Sequence, residues 1–138
     1  MPAISGGDTA WVLMAAALVL FMTPGLALFY GGMVRAKSVL NMIMMSFLAI
    51  GVVTIIWLVF GFSLAFGSDT GAGLLGGLDY LGLKNTLNAT VGPAGAKIPL
   101  LAFAMFQLTF AIITAALLSG AVADRVRTRT WLVFIGVW

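Results

Sequence analysis

The sequence predicts an all-α membrane protein, and three observations carry that prediction. Of its 138 residues, 62% are hydrophobic and 8% charged, against about a quarter charged in a soluble domain. Charged residues are absent from three long runs, Thr9–Val34, Ser38–Ser68 and Ile98–Ala123, and each run exceeds the roughly 20 residues a helix needs to cross hydrocarbon. Finally, the few basic residues cluster in the joints between runs, as membrane topology requires.

The elements follow in chain order. The first run begins after MPAISGGD, with no basic residue ahead of it and no small-residue cleavage site behind a short apolar core. It therefore reads as a retained span over about 9–34 and not as a signal peptide. Within it, Pro24 removes a backbone donor and clashes one turn back, which kinks or breaks a helix. A hydroxyl or a neighbouring helix can satisfy the freed carbonyl, and Thr23 beside it could do so. Ala27 and Gly31 form a small-xxx-small pair suited to close helix approach. A second span covers about 39–66 and a third about 98–123. Thr130–Trp138 starts a fourth apolar run that stops after about two turns, so 130–138 reads as a helix cut short.

The joints set the topology. Arg35 and Lys37 link the first two spans, and Arg125, Arg127 and Arg129 link the third to the fourth. The stretch from Gly67 to Lys97 holds two Asp and two Lys and is rich in Gly. The positive-inside rule places both basic joints in the cytoplasm, with the N-terminus and the Gly67–Lys97 loop outside. Thr90–Gly92 and the residues after it read as a Gly/Pro loop.

Composition also excludes function classes. With no Cys and no His, the chain has no disulfide framework, no thiolate site and no imidazole ligand. Its carboxylates, Asp8, Asp69, Asp79 and Asp124, lie outside the apolar runs. No catalytic residue, metal site or cofactor is therefore expected within the spans. The net charge of +3 is a topology signal, and no nucleic-acid partner is expected.

The third span raises a question at Phe106–Phe110, FQLTF. A Gln amide in hydrocarbon costs free energy unless it finds a partner. At 100° per residue, Phe106 lies about 40° and Leu117 about 20° to one side of Phe110, with Thr114 about 40° and Gln107 about 60° to the other. One face is thus aromatic and aliphatic with a polar edge. Ala111, Ala115 and Ser119 form a small-residue stripe on a neighbouring face. In the first span, Leu26, Phe29 and Tyr30 share a face, and the Tyr30 hydroxyl needs a partner at depth. On pattern alone, ordinary lipid or core filler, with the Gln bonded to a neighbouring helix, is the readier account of the third-span rings, while in the first span a kink with close packing and a pathway role stand even; a functional face stays open in both.

The blocks DTAWVLMAAALVLFMTPGLALFYGGMVRAKSVLNM and FQLTFAIITAALLSGAVADRVRTRTWLVFIGVW resemble the ammonium transporter (Amt/Mep/Rh) family, and within it the bacterial Amt branch. The resemblance runs from Asp8 to Trp138. It implies that 1–138 is the N-terminal part of a single transporter domain: three complete transmembrane helices and the start of a fourth, out of eleven arranged as two inverted five-helix repeats. It further implies a homotrimer in the cytoplasmic membrane, multi-pass, that moves ammonium or ammonia. Phe110 would be half of a double-ring gate, Phe106 would line the vestibule above it and Gln107 would play a supporting polar role. Leu26, Phe29, Tyr30 and Leu117 would line the apolar pore below. The family's pore histidines have no counterpart here. A PII-type regulator on the cytoplasmic face is the partner the resemblance adds to lipid and substrate. Two other classes remain: an ammonium-sensing module fused to a signalling domain, and a non-transporting structural membrane fragment.

Overall fold

A computed structural model describes residues 4–138 of the protein; the first three residues of the expected 1–138 domain lie outside the described residues. Helix α1 spans Gly6–Met33, α2 Val39–Ile56, α3 Phe62–Phe66, α4 Leu100–Leu118 and α5 Thr128–Val137. A π-helical turn, Trp57–Gly61, joins α2 to α3, so the chain is helical through the whole of Ala36–Phe66. Short 3-10 turns occupy Ala36–Ser38, Leu81–Leu83 and Ser119–Val122. Three helical stretches are long and apolar enough to cross a membrane: Gly6–Met33, Ala36–Phe66 and Leu100–Val122. α1 continues through Pro24 without ending. The freed carbonyl does not recruit Thr23, whose hydroxyl is buried and unpartnered. Thr23, Ala27 and Gly31 recur every fourth residue and are all buried, so the threonine side chain lies on the packed face of the helix.

The chain divides into two compact units. The first joins the segment ending at Ala17 to Ile56–Leu108. Its core is Phe62, Leu100 and Ala104, flanked by Trp57, Tyr80, Leu83 and Phe103. Phe62 stands 5.3 Å from the Phe66 ring and 5.5 Å from that of Tyr80, centroid to centroid. The Trp57 indole donates to the Ala104 carbonyl at 3.1 Å, which satisfies its one donor inside an apolar cluster. Ser63 ties down the loop beyond α3: its hydroxyl donates to the Gly77 carbonyl at 2.7 Å and accepts the Tyr80 N–H at 3.0 Å. The loop runs so close to α3 that a Cβ on Gly76 would meet the Ser63 carbonyl at 2.7 Å. Further on, β1 (Thr90–Val91) pairs antiparallel with β2 (Ile98–Pro99), Thr90 opposite Pro99. Asp79 lies in this loop and accepts the Ser68 hydroxyl and, at 2.9 Å, the Ser68 N–H. Those bonds, the hydroxyl's first, hold its pKa below the ordinary 3.8.

The second unit joins Leu18–Ile55 to Thr109–Trp138. Its core is Met45 and Ala49 of α2, Ala115 and Ala116 of α4, and Trp131 and Ile135 of α5, with Leu26 packed against it. Alanine pairs at the crossing let the helices approach closely enough to hold an indole between them. Trp131 is fully buried, and its N–H donates to the Met45 carbonyl at 3.0 Å. The expected small-residue pair on α1 also packs here, since a Cβ on Gly31 would lie 3.2 Å from Ile43. Asn41 and Thr128 are joined side chain to side chain, tying the start of α2 to the start of α5.

Candidate functional site

The candidate residues fall in both units, and each unit accounts for its own. In the first, Phe106 and Gln107 are half-buried near the end of that unit's share of α4. The second holds Leu26, Phe29, Tyr30, Phe110 and Leu117.

Packing in the second unit fixes which face of α4 stays open. Ile112, Ile113, Ala115, Ala116 and Ser119 are buried. Ser119 was expected in a small-residue stripe with Ala115, and its hydroxyl is satisfied within the helix by the Ala116 carbonyl at 2.7 Å. On the other side Phe110 is 41% exposed and Leu117 49% exposed, with Thr114 exposed between them. The Thr114 hydroxyl donates back to the Phe110 carbonyl at 2.7 Å. This open face is therefore a ring, a methyl-bearing side chain whose hydroxyl is already paired, and an aliphatic side chain. It presents apolar surface in spite of the threonine.

α1 contributes the second group. Leu26 leans on the core, while Phe29 is 63% exposed, so the three residues that share a helical face part company in packing. The Phe29 and Tyr30 rings are 5.9 Å apart and tilted at 42°. The partner that a buried tyrosine requires is the Leu117 carbonyl, which accepts the Tyr30 hydroxyl at 3.2 Å. Leu117 lies in the last turn of α4, where carbonyls lack an α-helical donor. Each group thus supplies what the other lacks, and two residues 87 positions apart are drawn together.

Two features here escape sequence reasoning. Gly120 lies directly against the Tyr30 phenol, and a hollow of about 340 Å³ opens beside both, bounded also by Met33, Val34, Met42 and Ala123. The only signal for either is the Gly in SGAVADR, which by itself does not say what packs on it. Among the described residues, no group of three or more His, Cys, Asp or Glu could hold a metal ion.

A sequence model of the Ammonium Transporter Family matches residues 10–138. The chain is 54% identical over 146 residues to an ammonium transporter of Mycobacterium tuberculosis, covering 96% of this chain and 31% of that protein. An ammonium transporter of Bacillus subtilis is 47% identical over 132 residues, covering 96% of this chain and 32% of its own length. Among solved structures, Saccharomyces cerevisiae Mep2 superposes with a TM-score of 0.85 at 33% identity, covering 98% of this chain and 30% of that one. The chain thus spans about a third of the length of the curated relatives it matches. With the family model covering nearly all of it, the chain belongs to the ammonium transporter family.

Proposed function

We propose that these residues form part of the path by which a longer transporter moves ammonium or ammonia across the cytoplasmic membrane. The observation that carries the reading is the open face of α4 in the second unit. Packing leaves Phe110 and Leu117 exposed there, and the Tyr30 hydroxyl is fastened to Leu117. Phe110 is the gate ring. Phe106 and Gln107, one turn earlier on α4, belong to the outer vestibule, and Leu26, Phe29, Tyr30 and Leu117 belong to the apolar wall beneath.

The physics divides the labour. A small cation sheds water on entering the membrane, and a ring face within about 6 Å returns roughly 0.5–2 kcal/mol. A charge at the bilayer centre costs about 2.5–3.5 kcal/mol even on the most lenient scale. Rings at a mouth can therefore gather and select ammonium, but they cannot carry the bare cation through. The wall residues shape and dry the passage, and they perform no bond-breaking chemistry. Assembly as a homotrimer and a cytoplasmic PII-type regulator near Arg125–Arg129 belong to the same reading and rest on the family resemblance; an external N-terminus rests on the basic joints.

The test is ammonium uptake by the full-length protein carrying Phe110→Ala or Tyr30→Ala. Uptake is expected to fall by about ten-fold or lose its selectivity, in line with the loss of one well-placed contact. Unchanged uptake at equal membrane levels for both variants would overturn the assignment and favour a purely structural role.

A further inference from the structure

Gly120 is not one of the glycines with a left-handed backbone. Its lack of a side chain is therefore not a matter of conformational freedom, and the explanation is spatial. A Cβ built on it would lie 2.7 Å from Tyr30 Cζ, 2.9 Å from Oη and 3.0 Å from Cε2, closer than real Cβ contacts come. A side chain at this position fits only if the phenol moves aside. On the same stretch of chain, the Leu117 carbonyl accepts the Tyr30 hydroxyl at 3.2 Å. The phenol is thus held at two points, by a hydrogen bond at its oxygen and by bare backbone against its ring. Beyond the ring lies the hollow of about 340 Å³ lined by Tyr30, Gly120, Met33, Val34, Met42 and Ala123. A water molecule occupies about 30 Å³ in the liquid, so the hollow leaves a displaced ring ample room to move.

We propose that Gly120 and the Leu117 carbonyl form a seat that fixes the Tyr30 ring, and that the seated ring sets the size of cation or amine the passage accepts. Gly120 is a positioning residue that acts through the Tyr30 ring. The inference rests on the reading that Tyr30 lines the path, and it names what gives that wall its width.

The experiment uses the full-length transporter in proteoliposomes and measures ammonium and methylammonium flux for Gly120→Ala, Tyr30→Phe, Tyr30→Ala and the double variant Gly120→Ala with Tyr30→Ala. The methyl group makes size the variable, and one methylene in a fitted pocket discriminates by about ten-fold or more. Gly120→Ala is expected to shift the ammonium-to-methylammonium ratio by about ten-fold, and Tyr30→Phe by less in the same direction. Tyr30→Ala and the double variant are expected to share one ratio, because without the ring a Cβ at position 120 meets none of the atoms it would otherwise strike. The seat is refuted if Gly120→Ala leaves the ratio unchanged, or if its effect persists in full when the ring is gone. Should Gly120→Ala prevent folding, Tyr30→Phe decides, and an unaltered ratio there overturns the seat. Wild-type flux and ratio in Tyr30→Ala would instead bring down the pore-wall reading itself.

Discussion

Replacing Trp131 tests how the second unit is held together. The indole is fully buried among Met45, Ala49, Ala115, Ala116 and Ile135, and its N–H reaches the Met45 carbonyl at 3.0 Å. Trp131→Phe removes that bond, which between membrane helices is worth about 0.6 kcal/mol on average. Met45 lies within α2, so its carbonyl keeps a second lone pair for the helical ladder and is not orphaned. The smaller ring also leaves a void of about 40 Å³, costing about 1 kcal/mol at about 24 cal/mol per Å³. The sum is about 1.5 kcal/mol for Trp131→Phe, against about 3–5 kcal/mol for Trp131→Ala. Reversible unfolding of the full-length protein in a bilayer, by steric trapping or a comparable equilibrium method, reads both differences directly. A Trp131→Ala loss within about 0.5 kcal/mol, the range of surface substitutions, would refute burial of the indole at this crossing.

Two further predictions concern packing and titration. Gly31→Val should destabilise by about 1–3 kcal/mol through overpacking, because even a Cβ at position 31 lies 3.2 Å from Ile43. Ile43→Ala in the same molecule should recover part of that loss, and an additive double variant would show that the two residues do not meet. Asp79 should titrate below 3.8, held down by the Ser68 hydroxyl and N–H. Because its folded pKa is the lower one, its contribution is complete above the unfolded value and fades as pH falls through the folded one. Carboxyl NMR across pH 2–5 checks this, and a midpoint at or above the ordinary value would dispose of the Ser68 contact.

The three spans were legible because charge is costly in hydrocarbon and its absence over a long run is hard to mistake. Most of the small-residue positions were legible too: Ala27, Gly31, Ala115 and Ser119 are buried and Ala111 is half-buried, because helices in lipid associate by close approach. What packs on a residue through space was not legible. The sequence shows that Tyr30 needs a hydroxyl partner, but a backbone carbonyl in the last turn of α4 has no residue-type signature. Trp131 reads as one more apolar residue, and its central place depends on alanines at two distant positions. The π-helical turn at Trp57–Gly61 arises in a uniformly apolar stretch, where no periodicity marks a change of pitch. The bonds that tie the loop after α3 to Ser63 join residues separated by turns that composition describes only as Gly-rich. The pairing of Thr23 with the carbonyl freed by Pro24 was a reasonable local expectation, and helix packing overrode it.

The chemical poverty of the apolar helices sharpens the functional reading. Asp8, in the first turn of α1, is the only carboxylate in the three long helical stretches, and those stretches hold no His or Cys. What remains at the open faces is rings, aliphatic surface, a hydroxyl already paired to Leu117 and another paired to Phe110. Such a set can attract a cation weakly through ring faces, exclude water and fix a width. None of these groups is a carboxylate, an imidazole or a thiol. On the proposed reading, a step that changes the charge of the transported species falls to groups other than these. The residues of this chain, on that same reading, serve the selection that precedes such a step and the walls that enclose it. That division explains why the seating of one tyrosine can matter: beside the weak pull of ring faces, the width of the passage is the discrimination these residues offer.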